Sequence, residues 1–378
     1  MYPRLLDLPK LLAKKSHFLF GPRATGKTTL IQHTLPEAQV FDLLHAQTHL
    51  HLVRNPSWLE ESITDPSRLV VIDEVQKLPA ILDTVQRLIQ SKKVTFLLTG
   101  SSARKLRHGG ANLLAGRARE ARLFPLTYRE IDRFDLLRLL NHGGLPDLYD
   151  SSEPEEDLAS YVSTYLREEI KAEAVTRNVG AFAEFLDVIA LSNGQEVNYE
   201  GFASDLQISP GTLKNYLQIL EDTLIGFRLP AYTKTVKRKA ISRSKHYLFD
   251  LGVTRFLARS GEIREGSKAF GDAFEHFLII ELRAYLSYMR KSAPMQYWRS
   301  LSKLEVDLVL GDEIAVEIKA TRQVSDKHLK GLRGLREERL LRRFLAVSLD
   351  PIERRTADGI EIMPWQLFLD RLWSNDII

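Results

Sequence analysis

Gly21, four intervening residues, Gly26, Lys27 and Thr28, within GPRATGKTTL, have the spacing that holds phosphate. Backbone amides of such a loop, where it opens a helix, cradle phosphate oxygens; the lysine reaches the β- and γ-phosphates and the Thr28 hydroxyl holds magnesium. Gly26 supplies a backbone conformation that side chains forbid. Gly21, Pro22, Arg23, Ala24, Thr25, Gly26, Lys27, Thr28 and Thr29 are therefore the expected nucleotide contacts, with ATP and Mg2+ as ligands. A second stretch, RLVVIDEVQ, runs four apolar residues, Leu69 to Ile72, into Asp73 and Glu74. A buried parallel strand of this kind delivers carboxylates to its C-terminal end, where ligands of open α/β sheets bind. Asp73 is expected in the magnesium shell, and Glu74 is placed to polarise an attacking water. A third stretch, VTFLLTGSS, ends in Thr99, Gly100, Ser101 and Ser102, which either sense the γ-phosphate or water or form an ordinary strand-end turn.

Different chemistry is encoded in KLEVDLVLGDEIAVEIKA. Val306, Leu308 and Leu310 alternate with Glu305, Asp307 and Val309, and Ile314, Val316 and Ile318 alternate with Ala315, Glu317 and Lys319, so two strands are joined by a turn. With a loop of residues 311–313, Leu310 pairs with Ile314, Asp307 faces Glu317 and Glu305 faces Lys319. A two-residue loop would set Asp307 against apolar Val316, so the hydrophobic pattern selects the longer one. Facing carboxylates repel, and a divalent cation or Lys319 would offset the cost. Hard oxygen ligands suit magnesium or manganese, which makes Asp307 and Glu317 a candidate second metal site. His45, His49 and His51 lack an acid at metal-ligand spacing and read as loop or helix-face residues. Tyr297, Trp298, Trp365 and Trp373 read as packing residues, and no serine–histidine arrangement suggests a hydrolase triad.

The elements that position these residues follow from apolar spacing. SHFLF before Gly21 is short enough for a buried strand, and TTLIQHTL after it has helical spacing. Residues 141–157, with Gly143, Gly144, Pro146 and Pro154 and a run of acids, punctuate the chain; Ser151 or Ser152 can cap the helix that follows. Farther on, NYEGFASDLQISPGTLKNYLQILED reads as two short helices with a tight turn, the second starting at Ser209–Pro210 and exposing Thr212, Lys214, Asn215 and Gln218. AYTKTVKRKAISRSKHYLFD looks like the β-hairpin of a winged variant and carries Lys234, Lys237, Arg238, Lys239, Arg243 and Lys245 with no acid before Asp250. Phosphate contacts from Lys214 and such a wing would give salt-sensitive DNA affinity; a solvated hairpin or a protein-binding wing is the alternative.

The 378 residues exceed one ordinary core, and 44% hydrophobic with 27% charged residues describes a folded globular chain. The expected division is an ATPase domain over residues 1–150, a helical winged-helix module over 151–261 and an α/β domain over 262–378. No cysteine is present, which excludes disulfides and thiolate metal sites and suits a reducing, cytoplasmic setting. No apolar run reaches the roughly 18 residues that span a bilayer, so no membrane role is expected. The formal charge of +4 discriminates nothing about partners.

GPRATGKTTL, VVIDEVQKLP, LLTGSSARKL, LLAGRA, GGLPDLY, KHYLFDLGV and VDLVLGDEIAVEIK together resemble the AAA-like P-loop ATPases of bacteria and archaea that carry a C-terminal nuclease-like domain. The resemblance implies an α/β multidomain fold with a parallel sheet flanked by helices, ATP hydrolysis, and Arg117 of LLAGRA as an arginine finger reaching a neighbouring subunit, hence a homo-oligomer. Asp, then Glu-x-Lys, on adjoining strands resembles the PD-(D/E)XK nucleases, with Val306 in place of the proline. There Asp307 and Glu317 would bind metal, Lys319 would help generate hydroxide, and the preceding helix would add Glu275 or, as second choice, Glu281. Three functions follow: an ATPase acting on DNA, an ATP-gated signalling or defence switch binding protein partners, or an ATP-regulated endonuclease.

Overall fold

The computed structural model describes residues 2–102, 104, 106, 113–166 and 179–378. Strands β1 (Ser16–Phe20), β2 (Gln39–Asp42), β3 (Val70–Asp73), β4 (Phe96–Gly100) and β5 (Ala118–Arg122) form a parallel sheet in the order β2-β3-β4-β1-β5. β1, β3 and β4 are buried along their whole length, as continuous apolar runs demand when helices cover both faces. β4 lies between the strand that opens into the glycine loop and the strand that ends at Asp73. That order brings Thr99 between the two.

Helices Tyr199–Asp205 and Pro210–Asp222 follow helix Val179–Leu191, and Ser209 starts the last by accepting from the Thr212 amide at 3.0 Å. β6 (Gly226–Leu229) and β7 (Lys245–Leu248) then pair antiparallel. The intervening stretch is not the free hairpin expected of a wing. Ala231 bridges Tyr297 and Ala240 bridges Ser300, because Tyr232 is buried with Trp298 and Val306 in the C-terminal core.

The C-terminal sheet has the order β12-β13-β11-β10-β9-β8, built from β8 (Met295–Arg299), β9 (Glu305–Leu310), β10 (Ile314–Lys319), β11 (Arg343–Ser348), β12 (Arg354–Arg355) and β13 (Glu361–Pro364). A 21-residue helix, Lys268–Tyr288, and helix Trp365–Trp373 pack against Leu308, Val316 and Leu345. Helix Lys330–Arg336 packs with Val309, Ala315 and Ala346. Its Gly331 sits so close to β9 that an added Cβ would lie 1.7 Å from the Glu305 carbonyl oxygen. Tyr297, Trp298, Trp365 and Trp373 are buried packing residues.

One apolar cluster joins all three stretches of sequence: Leu126 and Tyr149, Phe227 and Leu229, and Phe274 and Leu308 belong to it. The punctuated region 141–157 is a packed joint. Gly143 has φ 85° and leaves no room for a Cβ, which would lie 2.2 Å from Asp250 Oδ1. Asp250 Oδ2 accepts from the Gly144 amide at 2.7 Å, and burial pushes the carboxyl up to about 6. Ser151 ends helix Pro146–Asp150 and does not start the next; Glu153 is the cap position of helix Pro154–Ser160, and Ser151 accepts from the Glu153 amide at 2.9 Å.

Candidate functional site

The loop between β1 and helix Lys27–Thr34 is shaped by close approach: a Cβ on Gly21 would lie 2.5 Å from the Leu123 carbonyl oxygen, and Gly26 has φ 87°. Lys27 is 7% exposed and donates to the Gly21 and Pro22 carbonyls at 2.7 and 3.1 Å, so its ammonium sits within the loop expected to hold phosphate. Thr28 Oγ1 donates to Asp73 Oδ2 at 3.1 Å, and the Thr99 hydroxyl donates to Asp73 Oδ1. The hydroxyl and carboxylate expected at magnesium thus share one small volume, and this oxygen set fits Mg2+. Thr99 also accepts from the Glu74 amide at 3.1 Å. Glu74 has φ 58°, a left-handed conformation rare for such a residue and of order 1 kcal/mol uphill, which aims its side chain out of line with β3.

Two bracing residues carry no motif signal. Gln76 donates to the Glu74 carboxylate and lies 3.3 Å from Ser101 Oγ, linking the expected water-polarising acid to the end of β4. Arg4 donates to the Thr25 carbonyl at 2.7 Å and the Phe124 carbonyl at 2.6 Å while pairing with Glu130 at 3.1 Å. Gln76 was legible only as a neighbour of two acids, and Arg4 as a lone arginine. Arg117 lies elsewhere: Ser16 pairs with Ala118, so Arg117 stands at the end of the sheet opposite the glycine loop, where the Gln90 amide oxygen faces its Nε at 2.9 Å.

The second cluster has the expected register, with Leu310 opposite Ile314 and Leu308 opposite Val316. Beyond that the ladder opens, and Asp307 Oδ2 takes the Ile318 amide at 2.7 Å. Lys319 Nζ lies 3.2 Å from Asp307 and 2.7 Å from Glu317, offsetting their repulsion. Glu305 does not face Lys319 in an ion pair; it pairs with Lys245 at 2.7 Å and Arg299 at 3.6 Å. Glu275 is the helix acid that joins the cluster, 2.7 Å from the Tyr247 hydroxyl and 3.4 Å from Lys245. Glu281 does not, since it accepts from the Tyr128 amide at 2.6 Å and the Trp373 indole at 3.1 Å. Burial, then the Asp307 charge, pushes the Glu317 carboxyl well above the usual range, and burial raises Glu275. Glu317 Oε2 is buried without a hydrogen-bond partner, and the donors are hard oxygens, so the set suits a divalent cation. Among the described residues no three acids or histidines converge as a ready metal site, because Lys319 fills the space between Asp307 and Glu317.

Lys245 corrects the expected DNA surface. It is 4% exposed and held by Glu275 and Glu305, because its strand packs beside the acids. Lys234 pairs with Asp312 at 2.6 Å, Lys237 donates to the Glu337 carbonyl at 2.8 Å, and Arg238 pairs with Glu337 at 2.5 Å. Lys239 and Arg243 are exposed, as are Lys214, Asn215 and Gln218 of helix Pro210–Asp222; Thr212 is half-buried. The far end of that helix meets the nucleotide domain: Ser102 Oγ donates to the Asp222 carbonyl at 3.2 Å and Arg104 lies 3.9 Å from the Asp222 carboxylate.

Residues 13–132 match the family model described as an AAA domain, which supports an AAA-like P-loop ATPase family for this part. Residues 133–263 and 270–368 match two models described as domains of unknown function, DUF8612 and DUF4143. The chain is similar to uncharacterized proteins of Mycobacterium tuberculosis and Mycobacterium bovis, each 27% identical over 316 residues, covering 80% of this chain and 70% of the relative. An uncharacterized protein of Methanocaldococcus jannaschii is 22% identical over 424 residues, covering 94% of this chain and 85% of its own. A structure of Can2 from Sulfobacillus thermosulfidooxidans with cyclic tetra-adenylate aligns over 98% of both chains at 10% identity and a TM-score of 0.18, too low a likeness to carry any argument. No described helix is long and apolar enough to cross a membrane.

Proposed function

We propose that the chain binds and hydrolyses ATP and uses the cycle to act on DNA through its helix pair and a PD-(D/E)XK-like C-terminal domain. The observation that carries this reading is the convergence of Asp307, Glu317 and Lys319 from adjoining strands with Glu275 from the preceding helix. The nucleotide half rests on Lys27, Thr28 and Asp73 meeting at one loop. There the Gly21–Thr29 backbone and Lys27 bind the phosphates, Thr28 and Asp73 would hold Mg2+, and Thr99 with Ser101 marks the end of β4 beside them. Mg2+ when bound neutralises charge on the phosphates. Glu74, oriented by Gln76, positions water and takes its proton. Arg117 would serve the loop of a second copy, which makes the working form a homo-oligomer.

In the C-terminal domain Asp307 and Glu317 would hold the cation and Lys319 would orient hydroxide once it leaves the two carboxylates. The test is incubation with supercoiled and linear DNA, Mg2+ or Mn2+, with and without ATP, beside Asp307→Ala. Cutting by the wild type alone supports an ATP-controlled nuclease; binding without cutting supports a DNA-bound ATPase; the absence of both cutting and binding sinks the DNA reading. A protein-partner switch is then the reading that stands, and the engagement of Lys234, Lys237 and Arg238 by the C-terminal domain favours it over a wing free for phosphates.

A further inference from the structure

A cleft of about 530 Å3 opens where the three stretches of sequence meet, a size typical of small-molecule sites. Phe20 and Arg122 line it from the ends of β1 and β5, Phe227 and Arg228 from β6, and Arg283 and Leu286 from the long helix. None of residues Gly21 to Thr29 lines it, so it is separate from the glycine loop.

Arg122, Arg228 and Arg283 line the cleft together with Glu120, Glu221 and Asp222. The Arg283 guanidinium lies 4.1 Å from the Phe227 ring centroid and 5.3 Å from that of Phe124. Burial, and then the Arg122 charge, lowers its pKa to about 9. Among the described residues neither Arg122 nor Arg283 has a carboxylate within ion-pair distance. Of the acids on the same walls, Glu221 lies 3.7 Å from Arg228 and acts on Arg283 from beyond ion-pair distance, and Asp222 lies 3.9 Å from Arg104. Two like charges drawn into a partly closed space are costly, and Glu221 offsets that cost only from beyond ion-pair distance. A guanidinium held over rings keeps its fork of N–H donors available for the edge of an oxyanion.

We propose that Arg122 and Arg283 form a binding site for the phosphoryl group of a small molecule, distinct from the nucleotide loop. A ligand there bridges β5 and the long helix, and so ties the nucleotide domain to the C-terminal domain.

The test uses full-length protein carrying Lys27→Ala, which removes binding at the glycine loop, titrated calorimetrically with inorganic pyrophosphate and separately with AMP. Saturable binding of either probe, weakened at least tenfold by Arg122→Gln and by Arg283→Met, is expected. Pyrophosphate binding alone defines a site for the bare phosphoryl group, and AMP binding alone one that also needs the nucleoside. Failure of both probes to bind at millimolar concentration overturns the proposal, as does binding unchanged in Arg122→Gln. Arg122 lies at the half-buried end of an edge strand, so that variant keeps the test decisive if Arg283→Met does not fold.

Discussion

The proposed function divides the nucleotide chemistry between Lys27 for holding and Glu74 for turnover, and substitutions of the two separate these roles. Lys27→Ala removes the only lysine of the loop and is expected to abolish ATP binding by equilibrium dialysis. Glu74→Gln keeps the shape and the Gln76 neighbour but loses the basic carboxylate, so ATP binding persists while kcat falls by about 100-fold or more. Normal phosphate release by that variant would remove Glu74 from its role. Gln76→Ala leaves ATP affinity unchanged and lowers kcat about tenfold, since orientation rather than binding is lost. A fall in affinity instead would make Gln76 a packing residue.

At the level of elements, Gly331 fixes how closely helix Lys330–Arg336 approaches β9. Gly331→Ala forces backbone apart and should cost about 1–3 kcal/mol in urea unfolding, with the midpoint lowered and the slope unchanged. Lys245→Met removes one cation from a buried cluster of acids and destabilises by about 3–5 kcal/mol. Millimolar Mn2+ should then raise the melting temperature of the variant more than that of the wild type, because the acids gain a replacement cation; equal shifts would argue against a cation site. These two residues mark what the sequence could not convey. The glycine loop was legible as a loop because its residues are contiguous, and the β9–β10 register because a slip of one residue would bury Asp307 against Val316. Lys245 reads as one of a run of exposed cations, whereas burial of Tyr232 against Trp298 folds that run onto the acids. Arg4 and Gln76 were hidden for the same reason: their partners are remote in sequence or depend on a backbone turn at Glu74.

Across the whole molecule, the long helix Lys268–Tyr288 ties the ends together through Glu281. Burial raises its carboxyl from 4.5 to about 8, so between those values the folded protein holds a proton that the unfolded chain has released. Stability from this group is fully present below that window and declines as pH rises through it. Asp250 acts in the same direction up to about pH 6. Glu281→Gln stays neutral, so its unfolding free energy should fall less than that of the wild type between pH 5 and pH 8. Parallel losses in the two proteins would assign the dependence to other groups. The contact between Ser102 and the Asp222 carbonyl has a consequence for motion: the last turn of helix Pro210–Asp222 is pinned to the strand end beside Asp73 and Glu74. Any shift of that strand end on nucleotide exchange alters how often the turn opens, so deuterium uptake by the amides from Ile219 to Thr223 becomes a clock of the proposed ATP cycle that needs no label on the protein.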